Sequence, residues 1–199
     1  MKLDYDIKDT EIPSGDDTAY FTKSDGTVNA TLSNVDGSLQ FKKVLNGSGT
    51  GASFRWVYAA DYSSYETPVY VFESDMKFEN INYSDAPFGW IELANCGSSA
   101  IIYFKLVSDQ IKIYINTEDN GITVNKNEWN NIRIECDYSN NSIVFCVGNE
   151  VAHTATNISF SDSNSRMVRV YFDYRTYGGN AILFDNVYIG YTEDASSAS

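Results

Sequence analysis

EWNNIRIECDYSNNSIVFCVGNEV, residues 128–151, alternates apolar and polar side chains with a period of two and reads as a β-hairpin. Ile132, Ile134, Cys136 and Tyr138 take one face, and Asn131, Arg133, Glu135 and Asp137 take the other. A Ser-Asn-Asn-Ser turn at 139–142 reverses the chain into Ile143, Phe145 and Val147, which return to the apolar face. Successive side chains of a strand point to opposite sides of its sheet, so the pattern predicts antiparallel sheet with one face in a core.

Working outward, strand-like runs recur over 18–23, 38–44, 51–58, 67–79, 87–95, 99–107, 109–116, 129–138, 142–148, 166–175 and 180–190. Between them stand residues suited to tight turns, as in Asn46-Gly-Ser-Gly-Thr-Gly51, Asp119-Asn-Gly121 and Tyr177-Gly-Gly179. The chain has 199 residues, 43% of them hydrophobic, including 15 Tyr, 11 Phe and 3 Trp, and no helical stripe. That is enough apolar surface for one core, and the aromatic richness favours strands. The expectation is an all-β fold, a two-sheet antiparallel β-sandwich of the jelly-roll kind, as a single domain over 1–192. Residues 193–199 read as a linker or tag remnant.

Charge narrows the partners. Fourteen basic against 27 acidic residues give a net charge of −13, which repels phosphate backbones and anionic lipid surfaces. Nucleic-acid and membrane partners are therefore not expected, and no apolar run reaches the ~18–20 residues of a membrane span. Met1-Lys2-Leu3-Asp4-Tyr5 lacks the apolar centre of an export signal, so the chain reads as part of a larger multidomain, secreted protein, extracellular or at the cell surface. Cys96, Cys136 and Cys146 are odd in number. By parity Cys136 faces the core with Phe145 while Cys146 shares the opposite face with Val144, so free thiols are expected. No Cys-x-x-Cys or adjacent His–Cys pair suggests a zinc site or thiol nucleophile.

Strand parity also nominates binding residues. In 67–79, Tyr70, Phe72, Met76 and Phe78 read as core, which turns Glu73, Asp75, Lys77 and Glu79 outward. In 87–95, Phe88, Trp90 and Glu92 turn outward; in 166–175, Val168, Val170, Phe172 and Tyr174 read as core and Arg169, Tyr171, Asp173 and Arg175 turn outward. Aromatics mixed with both charge signs suit a saccharide, whose C–H face stacks on rings and whose hydroxyls take hydrogen bonds from Asp, Arg and Asn. Trp90, Tyr171, Asp173 and Arg175 lead the candidates, followed by Glu92, Glu73 and Asp75. Trp56 and Tyr58 share a face and form either the core edge or, with Tyr62 and Tyr65, a second stacking platform. Trp129, opening the hairpin, is expected to pack structurally.

WNNIRIECDYSNNSIVFCVGNEV, followed by VRVYFDYR and AILFDNVYIG, resembles the C-terminal half of a laminin-G-like, concanavalin-A-like lectin/glucanase domain. The resemblance implies a jelly roll acting as a non-catalytic carbohydrate-binding module of a secreted, bacterial polysaccharide-degrading or adhesive protein. It also implies a structural calcium ion with Asp185 as a ligand; Asp16, Asp17, Asp61 and Asp119 are further acids near loops or strand ends. Family-16 glycosidases of this fold carry Glu-x-Asp-x-Glu on one strand, with carboxyls about 5.5 Å apart in a retaining mechanism. Glu73 and Asp75 match the first two positions, but Lys77 stands at the third and Glu79 lies two residues on. Lyases of the fold need a Gln-x-His strand, which His153 in Val151-Ala-His-Thr154 does not provide. A glycosidase or lyase using Glu73 and Glu79 is the alternative, and a structural or adhesin domain binding protein through its exposed aromatics is the third reading.

Overall fold

The computed structural model describes residues 19–23, 30–44, 51–59, 69–94, 101–115, 118–160, 165–173 and 175–192. The readings at Asp16, Asp17, Asp61, Tyr62, Tyr65, Cys96, Tyr174, the Asn46–Gly51 turn but for its last residue, the 193–199 tail and the side chain of Tyr58 lie outside them.

Among the described residues, period-two alternation builds two antiparallel seven-stranded sheets. In chain order the strands are β1 (Ala19–Lys23), β2 (Ala30–Val35), β3 (Ser38–Lys43), β4 (Ala52–Ala59), β5 (Val69–Glu79), β6 (Gly89–Ala94) and β7 (Ile101–Val107). They continue as β8 (Gln110–Ile115), β9 (Glu118–Asn125), β10 (Trp129–Asp137), β11 (Ser142–Val147), β12 (Glu150–Ala155), β13 (Ser165–Phe172) and β14 (Ala181–Thr192). The first sheet runs β1-β4-β13-β6-β7-β8-β9 and the second β12-β11-β10-β5-β14-β3-β2. The expected all-β, two-sheet sandwich is the fold that forms. Among the described residues no helix is long and apolar enough to cross a membrane.

The opening hairpin is β10–β11, paired from Ile132↔Val147 to Asp137↔Ser142. Asp137 holds its turn: one carboxylate oxygen accepts the N–H groups of Ser139 and Asn140 at 3.0 Å, and Asn141 takes the left-handed φ of 50° that Asn tolerates. Cys136 is buried on the core side and Cys146 on the far side, both as free thiols. Burial, then the charge of Glu135, pushes the Cys146 thiol up, so it stays protonated and unreactive.

Three strands were not among the expected ones. β2 joins β3 through Asp36-Gly37, whose φ values of 53° and 90° make the two-residue turn that Asp-Gly favours. β9 runs through Asp119-Asn-Gly121, expected as a turn between strands; the register shift opposite Ile113/Tyr114 accommodates it as a bulge. β12, which carries His153, is a half-exposed edge strand with too few apolar residues to alternate visibly.

The core lies between the sheets and is largely aromatic. Phe54 meets Trp56 edge-on at 4.7 Å and Phe41 at 4.9 Å, and Phe41 stacks on Phe172 at 4.6 Å. Trp56 also packs on Phe184 at 5.4 Å and Phe72 at 6.0 Å. Each such ring, fully buried, contributes roughly 1.5–3 kcal/mol by transfer from water. The expected core of β5, Tyr70, Phe72, Met76 and Phe78, is fully buried. β14 changes parity along its length: Ile182 and Phe184 face inward, then Val187, Ile189 and Tyr191. An extra residue at Asn186, with φ 49°, makes the switch, and the Ser74 hydroxyl donates to the Asp185 carbonyl across it at 2.9 Å.

Candidate functional site

On the first sheet, burial of Phe54, Trp56, Val168, Val170, Ile91, Ile102, Phe104, Ile111 and Ile113 leaves the alternate residues facing out. Register then aligns four of them in one row across four strands: Tyr171 on β13 lies opposite Trp90 on β6, Trp90 opposite Tyr103 on β7, and Tyr103 opposite Tyr114 on β8. Tyr171 and Trp90 stack with centroids 4.7 Å apart and planes within 16°; Trp90 and Tyr103 are 5.9 Å apart at 43°. All four rings are half-buried, so each leaves part of its surface to solvent. With strands about 4.8 Å apart, the row spans roughly 14 Å. Gly89 permits it: a Cβ there would fall within 3.0 Å of the Tyr171 carbonyl oxygen, so β6 and β13 approach as closely as they do only because residue 89 has no side chain.

Polar groups rim the rings. The Tyr171 hydroxyl donates to Glu92 at 3.3 Å, and Arg169 lies 3.5 Å from the same carboxylate. Burial, then the Glu92 charge, pushes the Tyr171 phenol up, against the opposing pull of Arg169. At the other end Lys112 sits over the Tyr114 ring at 5.8 Å and pairs with Asp119 at 2.6 Å. That hydrogen bond raises the Lys112 pKa and lowers that of Asp119. The arrangement offers apolar ring faces with donors and acceptors at their edges.

Of the residues nominated from the sequence, Trp90, Tyr171 and Glu92 come together here. The others go elsewhere. Trp56 is 1% exposed in the core, so of its two readings the stacking platform is corrected to core: Phe54, Phe72 and Phe184 surround it. Phe88, expected outward, is fully buried, because it precedes β6 and its N–H donates to the Phe104 carbonyl. Asp173 lies past the end of β13 and is buried. Its carboxylate takes the Arg175 guanidinium through Nε at 2.7 Å and a second nitrogen at 3.0 Å, and the Arg175 N–H at 2.9 Å. Burial opposes its ionisation, but Arg175 and the buried Lys43 of β3 outweigh this and hold its pKa down. That pair ties Arg175 back to Asp173 past the end of β13 and is not part of the ring row.

Glu73 and Asp75 face outward on the second sheet. Asn131 donates to both, at 3.2 and 3.0 Å, and Arg133 bonds Glu73 at 3.1 Å and the buried Glu135 at 2.6 Å. Trp129, expected to pack structurally, is 45% exposed on this face with Lys77 over its ring at 5.9 Å. Tyr103, Tyr114, Arg55, Lys105 and Lys112 escaped the sequence reading. The alternation of Lys112-Ile-Tyr-Ile115 carried a signal for two of them, but only pairing shows that these side chains continue the row begun by Trp90.

No protein-family description matches the sequence, and no curated protein matches it. Solved structures do. A sialidase aligns with a TM-score of 0.56 at 8% identity over 85% of this chain and 17% of its own. The alginate lyase from Corynebacterium sp. aligns at 0.54, with 10% identity over 78% and 77%, and lectin I-B4 from Griffonia simplicifolia at 0.51, with 12% identity over 96% and 97%. The fold is a concanavalin-A-like jelly roll. This chain thus spans about a sixth of the sialidase and nearly all of the lectin.

Within this jelly roll, Glu73 and Glu79 are not placed as a retaining pair. They sit six residues apart on β5, whose pairing with β10 and β14 shows no extra residue on β5 itself. On an extended strand that is roughly 20 Å, against the ~5.5 Å a retaining pair needs. Each is also bound to a cation, Glu73 to Arg133 and Glu79 to Lys77 at 2.6 Å. A calcium shell fits no better at Asp185. One of its carboxylate oxygens accepts the Asn186 N–H at 2.8 Å, and among the described residues no three acids, His or Cys converge to hold an ion that takes six to eight oxygens.

Proposed function

We propose that this chain is a non-catalytic carbohydrate-binding module, carried within a larger secreted protein of bacterial origin that degrades polysaccharide or adheres to it. The observation that carries the reading is the Tyr171–Trp90–Tyr103–Tyr114 row, four half-exposed rings in register across one sheet face. A polysaccharide lying across the strands meets successive ring faces and hydrogen-bonds at its hydroxyls to Glu92, Arg169, Lys112 and Asp119. Similar structures that include a lectin and an alginate lyase are in keeping with this. Binding by stacking and hydrogen bonds needs no cofactor.

Affinity electrophoresis against a panel of polysaccharides, with a reducing-end assay alongside, tests it. Retardation without release of reducing ends is expected, unchanged by a chelator. Trp90→Ala is expected to weaken binding by about 2 kcal/mol, roughly thirtyfold, with the melting transition retained. Release of reducing ends, or full binding by a folded Trp90→Ala protein, overturns the reading.

A further inference from the structure

Trp129 stands apart from the ring row, on the outer face of the second sheet. Burial of Ile132 and Ile134 turns it outward together with Asn131, and it is 45% exposed at the start of β10. β5 flanks it on one side, where Lys77 pairs with it and sits over its ring at 5.9 Å. On the other side β11 has already turned back. It ends at Val147, opposite Ile132, and the Gly148 N–H donates to the Asn131 carbonyl at 2.9 Å as the chain reverses. The ring is thus backed by a cation on one face, and its exposed part lies where no strand pairs with β10 among the described residues.

Two residues along the strands, roughly 7 Å away, lies a network of planar polar groups. Asn131 Nδ2 donates to Glu73 at 3.2 Å and to one Asp75 oxygen at 3.0 Å. Asn186 Nδ2 donates to the other Asp75 oxygen at 2.7 Å, and the Asn186 N–H donates to Asp185 at 2.8 Å. Asp75 and Asp185 lie directly opposite each other on β5 and β14. An ionised carboxylate offers about four lone-pair sites, so both keep room for further donors beyond these amides. The network therefore presents acceptors, held in place by amides, within reach of the rim of a ring seated on Trp129.

These surroundings select a neutral partner rich in hydroxyls. Lys77 at the ring repels a cation, and Glu73, Asp75 and Asp185 repel an anion. A protein interface centres on contiguous apolar surface, whereas pairing and sequence surround Trp129 with Lys77, Asn127, Glu128 and Asn131. Resting on the carbohydrate-binding reading above for the class of ligand, we infer that this face is a second glycan site, separate from the ring row. One neutral pyranose stacks on the open side of Trp129 and donates its hydroxyls to Asp75 and Asp185. The two sites look outward from opposite sheets, which pack about 10 Å apart, so a chain lying on the ring row does not reach Trp129 and the module holds two chains at once. One ring against four makes this the weaker site, and the loss on Trp90→Ala is set by the row.

The test immobilises a neutral glucan, a xylan and a galactomannan in turn, loads the protein, and measures how much of the same polymers, soluble and fluorescently labelled, the loaded surface retains. Sedimentation and thermal melts of each variant run alongside. Wild type is expected to hold labelled polymer on an immobilised one. Trp129→Ala is expected to load the surface nearly as well as wild type but to retain about tenfold less label, the order of one lost ring contact, and Trp129→Phe, which keeps a ring face, to restore most of it. No capture by wild type that loads the surface, or equal capture by folded Trp129→Ala, overturns the second site and leaves the ring row standing. Capture that follows a dimer lost in Trp129→Ala overturns it as well, since the face then holds a second copy of this chain. Failure of wild type to load any surface overturns the carbohydrate-binding reading and this inference with it.

Discussion

Gly89→Ala separates two effects of opposite sign. Gly89 has an ordinary φ, so alanine fits its backbone conformation, and on entropy alone the change is expected to stabilise by about 0.4–1 kcal/mol. The tertiary structure reverses this. An added Cβ would lie inside 3.0 Å of the Tyr171 carbonyl oxygen, a closeness that real Cβ atoms essentially never show, with the Phe172 ring at 3.7 Å behind it. A backbone carbonyl cannot rotate away as a flexible side chain would. β6 and β13 must therefore separate, at an overpacking cost of about 1–3 kcal/mol. The net expectation is a destabilisation of about 1–2 kcal/mol, a fall in melting temperature of roughly 2–8 °C for a chain of this size. Because Trp90 follows Gly89 and stacks on Tyr171 at 4.7 Å, the same separation opens the ring pair, and glycan affinity is expected to fall with stability. Differential scanning calorimetry with a parallel glycan titration measures both. A Gly89→Ala protein as stable as wild type, or more stable, refutes the close approach of the two strands.

Trp56→Ala is expected to cost about 3–5 kcal/mol in chemical denaturation, as a large buried ring should, while the folded fraction keeps its glycan affinity; loss of binding with stability intact would return Trp56 to the site. Asp173→Asn tests the Asp173–Arg175 pair through pH. The folded pKa of Asp173 is depressed below 3.8, so its stabilisation is present above that value and lost as pH falls through the lower folded value. The variant is expected to be less stable than wild type at neutral pH, with the gap closing below about pH 4 in acid-denaturation curves. Arg133→Met leaves the fully buried Glu135 without its 2.6 Å partner and is expected to destabilise by about 3 kcal/mol in urea melts, with affinity at the ring row unaffected because that face lies across the sandwich from it.

Period-two alternation is a property of each strand's own geometry, so the sequence by itself determined what depends on one strand at a time. It placed Ile132, Ile134 and Cys136 inward, put Tyr70, Phe72, Met76 and Phe78 in the core, and set Cys136 and Cys146 on opposite faces. It also turned Trp90, Glu92 and Tyr171 to the outside. Parity misled where a strand ended, as at Phe88 and Asp173, since a residue outside regular pairing is freed from the alternation. Trp56 could not be assigned from its own strand, because both sides of β4 carry large side chains and only the second sheet decides which side is the core. What joins Trp90 to Tyr171 and Tyr103 is the neighbour order β4-β13-β6-β7-β8, which inserts β13 beside β6 and so brings together Trp90 and Tyr171, 81 positions apart. That order is chosen by closing two sheets over one core, a long-range balance that no local pattern encodes. The ring row therefore exists only in the tertiary structure.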